Sequence, residues 1–256
     1  MRIMTSNIWG DYFKNPVDVR EDFLYDVLKK YDADFIGFQE VTPNWHKGEM
    51  FKWLLEDYNF VGTEISESKN YVPFVYKKEY FLVAKGYELF FTPEEISKGI
   101  TWGVFKKPDG SFIGICNTHF WWMSGPEHDV IRDDNALKLI ATMKFIRKKY
   151  NCPVFAFGDL NCTRSANVFN IFKENGVEQL YDIAENKDNI GSHHGNPVLG
   201  DDGRYHGTTT DKDCEHSIDH ILALKGDFKV LEYRIVEDQK ALDATDHSPV
   251  YVDVEF

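Results

Sequence analysis

Apolar and polar positions divide the chain into short strand-like runs and two clear helical stripes. Ile3 to Ile8 alternates weakly, and Asp34 to Glu40 reads as a strand that ends in two polar residues, Gln39 and Glu40. Tyr71 to Tyr76, Tyr80 to Val83, Thr101 to Phe105 and Phe112 to Phe120 follow in the same style. Pro153 to Gly158 is almost continuously apolar, the pattern of a strand covered on both faces. Ile218 to Leu224, Phe228 to Val236 and Pro249 to Val254 complete the strands. Asn15-Pro16 reads as a cap with proline at the first helical position, followed by the stripe Phe23, Leu24, Val27, Leu28 and Tyr31. A second helix is predicted from about Val130 to Tyr150, with Ala136, Leu139, Ile140, Met143 and Ile146 on its apolar face. Asn44 to Leu55 and Ala166 to Lys173 also read as helices. Strands and helices interleave without a linker or an internal repeat. The expectation is one α/β domain over residues 1–256 built on packed sheets, with Asn186 to Glu215 as its long loop.

Composition narrows the classes. With 256 residues, 43% hydrophobic and 15% aromatic, the chain can bury a large core and is not of the disordered kind. No apolar run approaches the roughly 20 residues that span a bilayer, so no membrane partner is expected. Met1 to Asn7 lacks the apolar stretch of a signal peptide, which points to a cytoplasmic protein. Cys116, Cys152, Cys162 and Cys214 form no CxxC pair and read as reduced packing residues. The net charge of −13, with Lys/Arg only in scattered pairs such as Lys77-Lys78, Lys106-Lys107 and Lys148-Lys149, opposes binding to long duplex DNA.

Several strands end in polar residues that folding alone does not ask for. These are Ser6-Asn7, Gln39-Glu40, Asn117-Thr118-His119, Gly158-Asp159-Leu160-Asn161, Ser217-Ile218-Asp219-His220 and Thr245-Asp246-His247-Ser248. Taken singly, a Gly-Asp-x-Asn run is more often a turn, Glu40 a solvated strand-end charge, and Asp246-His247 a loop with a satisfied histidine. Together they supply oxygen ligands for a hard cation, in Glu40, Asp159, Asn161 and Asp246, and two histidines, His119 and His247, able to donate and accept protons.

The ordered set Thr5-Ser6-Asn7-Ile8-Trp9, Phe38-Gln39-Glu40-Val41, Val72 to Tyr76, Thr101 to Phe105, Cys116 to Phe120, Gly158 to Asn161, Ser217 to Ile221 and Thr245 to Val250 resembles the endonuclease/exonuclease/phosphatase superfamily over essentially the whole chain. The resemblance implies a DNase I-like four-layer α/β sandwich, two packed mixed β-sheets flanked by helices. It also implies roles. Glu40, with Asn7 beside it, resembles the main metal ligand, and Asp246 a further metal-side acid. Asp159 looks like the residue that orients the attacking water, Asn161 a donor to the phosphate, and His119 the donor to a non-bridging oxygen. His247 looks like the general base or electrostatic partner, and Asp219 the carboxylate that fixes its tautomer.

The expected activity is therefore Mg²⁺-dependent hydrolysis of a phosphate ester, diester or monoester, by an activated water, with Mn²⁺ able to stand in. The acidic charge favours a phosphorylated small molecule or short oligonucleotide as substrate. The alternatives are a nuclease acting on single-stranded or structured DNA or RNA, and a non-catalytic binding protein on a hydrolase scaffold. Family members that act on duplex DNA often carry basic loops, which this chain lacks, and Thr245 stands where serine is common. Trp45, Trp121 and Trp122 are open to core packing or substrate stacking. Arg132 is open to phosphate pairing or to a solvated position at a helix start. Zinc binding at His193-His194 and His206 has no supporting Cys/His spacing.

Overall fold

The computed structural model describes residues 1–62, 70–91, 96–207 and 216–256; Cys214 and the last part of the expected long loop lie outside these. One sheet has seven strands in the order β10-β14-β15-β1-β2-β4-β3: Asn186–Lys187, Lys229–Ile235, Val250–Glu255, Arg2–Asn7, Phe35–Gln39, Phe74–Lys77 and Tyr58–Val61. The other has six in the order β5-β6-β7-β8-β13-β9: Phe81–Leu89, Gly99–Lys106, Phe112–His119, Val154–Asp159, Asp219–Leu224 and Val177–Gln179. A small hairpin joins β11 (Val198–Leu199) to β12 (Tyr205–His206). Each large sheet is mixed and contains one central parallel pair, β1 with β2 and β7 with β8.

The period-2 geometry of strands explains the layers. Ile3, Phe35, Ile115 and Phe155 point inward to one core between the sheets. Their neighbours Met4 and Ile36 point outward under α1 (Glu21–Tyr31) and α3 (Glu49–Leu54), while Cys116 and Ala156 point out under α4 (Pro126–Tyr150) and α5 (Asn167–Glu174). The result is the expected helix–sheet–sheet–helix sandwich. Cys116, Cys152 and Cys162 are buried free thiols.

Boundaries differ from the sequence expectation for identifiable reasons. Asn15-Pro16 does not cap α1, which begins at Glu21. The Asn15 amide instead spans the preceding loop, donating to the Gly10 carbonyl at 2.9 Å and accepting from the Phe13 N–H at 3.1 Å. The single helix expected over 44–55 is interrupted at Gly48, whose extended backbone separates α2 (Pro43–Lys47) from α3. There the Glu21 carboxylate accepts from the Met50 N–H at 2.5 Å. α4 starts at Pro126, before the apolar stripe becomes visible. Strand β3 and the β11–β12 hairpin were not expected from the pattern.

Arg20 fixes the strand-end loops. It is fully buried, and its guanidinium donates to the carbonyls of Ile8 at 3.2 Å, Trp9 at 2.9 Å and Ala244 at 2.8 Å, while Nε reaches Pro16 O at 2.9 Å. It also packs 4.7 Å from the Trp9 ring and 5.0 Å from the Trp45 ring. Burial pulls its pKa down to about 10, which still leaves it charged at neutral pH. The loop after β1 and the end of α7 (Gln239–Ala244) are thereby tied together just ahead of Thr245-Asp246. Arg20→Met removes every donor and strands these carbonyls, so it should lower unfolding free energy by about 3 kcal/mol or more. Arg20→Lys should recover only part, because an ammonium lacks the planar fork. Urea denaturation of the two variants checks this; wild-type midpoints would contradict it.

Candidate functional site

Strand register brings the polar strand ends together. In the first sheet Asn7 lies opposite Gln39, with Glu40 one residue beyond. In the second, His119 lies opposite Asp159, and Asp159 is also opposite Asp219 on the antiparallel side. The sheets face each other, so Asn7 Nδ2 donates across the gap to Asp159 Oδ2 at 3.0 Å. Thr245 Oγ1 donates to the Asn7 carbonyl at 2.8 Å and accepts from the His247 N–H at 3.2 Å, which seats Asp246 and His247 beside the same edge. Asp159 is preceded by Gly158 at φ +150, where a Cβ would collide with the Thr118 backbone. The chain then turns sharply: Glu40 and Asn161 both have positive φ, 63° and 49°. Non-glycine residues in that region are uncommon and gather at sites that demand an exact side-chain direction.

These residues converge on a cleft of about 470 Å³. Glu40, Asp159, Asn161, Asp246 and His247 line it, and Asn7, His119 and Asp219 stand directly behind. His247 Nδ1 lies 2.8 Å from Asp219 Oδ2, and its Nε2 lies 3.9 Å from Asp159 Oδ2 and 4.0 Å from Asp246 Oδ1. Asp219 Oδ2 also accepts from Ser192 Oγ at 2.7 Å. Asn161 closes the turn, with its N–H on Asp159 Oδ1 at 2.8 Å and its amide on Phe120 O at 3.1 Å.

The charges in the cleft are set against each other. Burial alone would push the His247 imidazole down, but the carboxylates of Asp219, Asp246 and Asp159 hold it well above its ordinary value. Burial would likewise raise Asp159, yet the hydrogen bond and charge of His119, with His247 and Lys98, hold it well below the usual carboxylate range. The Asp246 carboxyl is pushed up to about 6, first by burial and then by the Glu40 charge, against the pull of His247. His119 is lowered by burial and by the Lys98 ammonium. Lys98 Nζ lies 2.7 Å from His119 Nε2 and 3.1 Å from Nδ1, and the same Nε2 lies 3.4 Å from Asp159 Oδ2.

An oxygen-ligated divalent cation fits this arrangement. Glu40 and Asp246 line one cleft, where burial first and the Glu40 charge after it raise Asp246, a cost that a bound cation would offset. Asn7 is committed on both sides, through Nδ2 to Asp159 and through Oδ1 to the Trp9 N–H at 3.1 Å. Two groups centred on His247 also have ligand-like spacing, His193/Asp246/His247 and Asp159/Asp219/His247. The second is a hydrogen-bonded histidine–carboxylate relay, since Asp219 occupies Nδ1, and the donor chemistry of Glu40 and Asp246 suits a hard cation better.

Some residues lie where the sequence did not point. Lys98 and His193 line the cleft, and the His193 ring meets His247 edge-on at 4.8 Å. Trp45 is core. Trp121 is half-buried and donates to His128 Nδ1 at 2.9 Å. Trp122, 59% exposed, stands at the cleft with Tyr12 and Phe13. Arg132 neither pairs with a cleft group nor faces solvent; it is buried, paired with Asp129, and donates to the carbonyls of Trp121 at 3.2 Å and Met123 at 2.6 Å. His206 is exposed, 3.0 Å from Asp202, away from any zinc cluster among the described residues.

Residues 4–247 match the model of the endonuclease/exonuclease/phosphatase family. No curated protein sequence matches the chain. Among solved structures, an endonuclease/exonuclease/phosphatase from Bacteroides vulgatus superposes with a TM-score of 0.78 at 22% identity, covering 100% of this chain and 98% of that one. A Bacteroides thetaiotaomicron protein named as a mannosyl-6-phosphatase gives 0.76 at 20% identity, with 100% of each chain covered. The human Nocturnin catalytic domain gives 0.72 at 17% identity, covering 100% of this chain and 94% of that one. With the fold shared across whole chains and the family model spanning nearly all of this one, the protein belongs to the endonuclease/exonuclease/phosphatase family of phosphoester hydrolases.

Proposed function

We propose that this protein hydrolyses a phosphate ester of a small or short substrate with an activated water, and that His247 is the base. The observation that carries this reading is the placement of His247. Its Nδ1 is 2.8 Å from a buried carboxylate, and its Nε2 is directed toward Asp159 in a cleft also lined by Glu40 and Asp246. Asp219 keeps the Nδ1 proton in place, so Nε2 carries the lone pair once the ring is neutral, the logic of a histidine–carboxylate pair with water as nucleophile. Asp159, held far below the usual carboxylate range, is a poor proton acceptor but a strong hydrogen-bond acceptor, which suits orienting the water.

In this reading the water oxygen attacks phosphorus, its proton passes to His247 Nε2, and the ester P–O bond breaks with the leaving oxygen keeping the electron pair. Asn161 and His119 donate to non-bridging oxygens as charge develops there. Glu40 and Asp246, with Asn7 beside them, would hold Mg²⁺ or Mn²⁺, which when bound neutralises phosphate charge and lowers the pKa of water.

The cleft argues for a small substrate. Among the described lining residues Lys98 is the single Lys or Arg, facing Glu40, Asp159 and Asp246, so no basic track for a long polyanion exists there. The neighbour named as a mannosyl-6-phosphatase makes a sugar phosphate the first compound to test. A single-stranded oligonucleotide end is the second reading, favoured by the exposed Trp122 ring, on which a base can stack. A screen of sugar phosphates, mononucleotides, diesters, and single- and double-stranded nucleic acid with added Mg²⁺ separates the two.

Turnover on the best substrate should disappear in excess chelator and return with Mg²⁺ or Mn²⁺. Glu40→Gln, which keeps shape but removes a charge, should raise the metal concentration needed for half-maximal rate by about 10-fold or more. Full activity in chelator would remove the metal from the reaction.

The pH profile follows from the raised His247. A base must be neutral, and Asp219, Asp246 and Asp159 favour the charged ring, so turnover should rise with pH with its limb above the ordinary histidine value of about 6.5. Asp219→Asn removes one of those charges and should move the limb to lower pH while lowering the plateau. His247→Gln should cost about 10²- to 10⁴-fold in rate. A His247→Gln enzyme with near-wild-type turnover at saturating metal would transfer the base role to Asp159.

A further inference from the structure

We infer that Ser192 is a positioning residue for the His247–Asp219 pair: its hydroxyl fixes which oxygen of Asp219 meets the imidazole, and turnover depends on it through Asp219. The inference rests on the hydrolase reading above, in which His247 is the base, and adds the residue that aims it.

The two members of the pair come from different parts of the chain. Asp219 is the first residue of β13, and His247 lies between α7 and β15. Ser192 touches both segments. Its carbonyl accepts from the Ser248 N–H at 2.7 Å, and two residues on, the His194 N–H donates to the Asp246 carbonyl at 3.0 Å. Between these two bonds His193 and His247 face each other in a short antiparallel bridge. The Ser192 side chain reaches the other segment. Its Oγ accepts from the N–H groups of Ile218 and Asp219, each at 3.1 Å, and donates to Asp219 Oδ2 at 2.7 Å. Ser192 and Asp219 are both buried, so these bonds are made away from water.

The donor and acceptor count fixes the direction of the hydroxyl. A serine hydroxyl has one proton to give and two lone pairs with which to receive. The two backbone N–H groups take the lone pairs, and the proton is left to Asp219 Oδ2. Ser192 is therefore a donor of fixed direction. The oxygen it meets is the one that lies 2.8 Å from His247 Nδ1. Two donors on one carboxylate oxygen stabilise its charge and oppose rotation of the carboxylate, whose terminal torsion is otherwise soft. A carboxylate held this way keeps the shared proton on Nδ1 and leaves Nε2 with the lone pair that a base requires. With the Ser192 hydroxyl removed, Asp219 can turn, Nδ1–H can follow either oxygen, and the Nε2 lone pair loses its fixed aim toward the Asp159 side of the cleft.

The test uses the full chain with Ser192→Ala, Ser192→Cys and Ser192→Thr, and with Ser192→Ala combined with Asp219→Asn, each assayed well below its melting transition at saturating Mg²⁺. On the best substrate of the screen, Ser192→Ala should lower kcat by about 10- to 100-fold, the usual size for a residue that orients another. KM and the Mg²⁺ concentration for half-maximal rate should move by less than about 2-fold, since neither substrate nor cation is touched. Ser192→Cys keeps the shape but offers only a weak donor, so it should lose nearly as much, while Ser192→Thr, which keeps the hydroxyl, should retain more. In the Asp219→Asn background Ser192→Ala should cost less than about 3-fold further, because groups that act as a unit are not additive. A second readout needs no substrate: nitrogen-15 spectra of the His247 ring should show the Nδ1 and Nε2 resonances moving toward each other in Ser192→Ala as the tautomer is released, and staying near wild type in Ser192→Thr. Equal losses in both backgrounds, or ring nitrogens that do not move in folded Ser192→Ala or Ser192→Cys, would reduce Ser192 to a packing residue and overturn the inference. A protein whose His247 ring responds to Ser192→Ala but which cleaves no compound of the screen would leave the positioning role standing and sink the hydrolase reading instead.

Discussion

The site exists because two sheets are joined through buried side-chain amides at their parallel pairs. Gln39 Nε2 donates to Asn117 Oδ1 at 2.6 Å, and Asn117 Nδ2 reaches the carbonyls of Phe38 at 2.7 Å, Val72 at 2.9 Å and Pro73 at 2.8 Å. Gly37 permits that approach, since a Cβ there would collide with the Phe157 ring and the Asn117 amide. A buried amide with its donors and acceptors unmet is costly, so only one relative position of the sheets satisfies this network. That position puts Asn7 within 3.0 Å of Asp159, and everything chemical follows from it. The apolar core between the sheets supplies most of the cohesion but little of the register, because an apolar interface tolerates sliding that a hydrogen-bonded one does not.

The electrostatics of the cleft follow from the same confinement. Carboxylates that would sit apart in water are held together, and each answers differently. Asp159 is surrounded by cationic and donor groups and stays ionised, whereas Asp246 is buried against Glu40 and rises to about 6. His247, between Asp219 and Asp159, is drawn toward the charged form. Confinement thus pushes the values of neighbouring acids and bases apart within one cleft.

Much of this was legible in the chain because strand ends announce themselves. A run such as Phe35 to Phe38 must be buried, so Gln39 and Glu40 after it stand where the sheet opens. The same holds for Asp159 after Val154 to Phe157. What could not be read depends on tertiary partners. Lys98 looks like any surface lysine until β6 pairs with β7 and sets it against His119. Arg132 looks like a helix-start cation, but α4 begins earlier and turns it onto the Trp121–Met123 backbone. Asn15-Pro16 has the local signature of a cap, yet the amide of Asn15 and the fork of Arg20 bind the loop carbonyls more completely than a first helical turn would. Ser192 and His193, in a segment that reads only as loop, gain meaning through Asp219 and His247, residues that follow far along the chain.

The buried and the exposed residues of the cleft therefore sit on different kinds of structure. Asn7, His119, Asp159 and Asp219 lie on strands whose neighbours fix their backbones, so their relative positions vary little. Tyr12 and Phe13, 79% exposed in the latter case, project from the loop after β1, and Trp122 projects from the loop after β7. These side chains line the cleft from loops rather than from the sheets. Positive φ at Trp9, Glu40 and Asn161 marks the joints where rigid strand gives way to loop. Lys98 belongs to neither group: its backbone is anchored beside the β6–β7 pairing, while its side chain lies buried against His119. That separation explains how one sandwich can keep a single hydrolytic centre while its rim is remade for different esters.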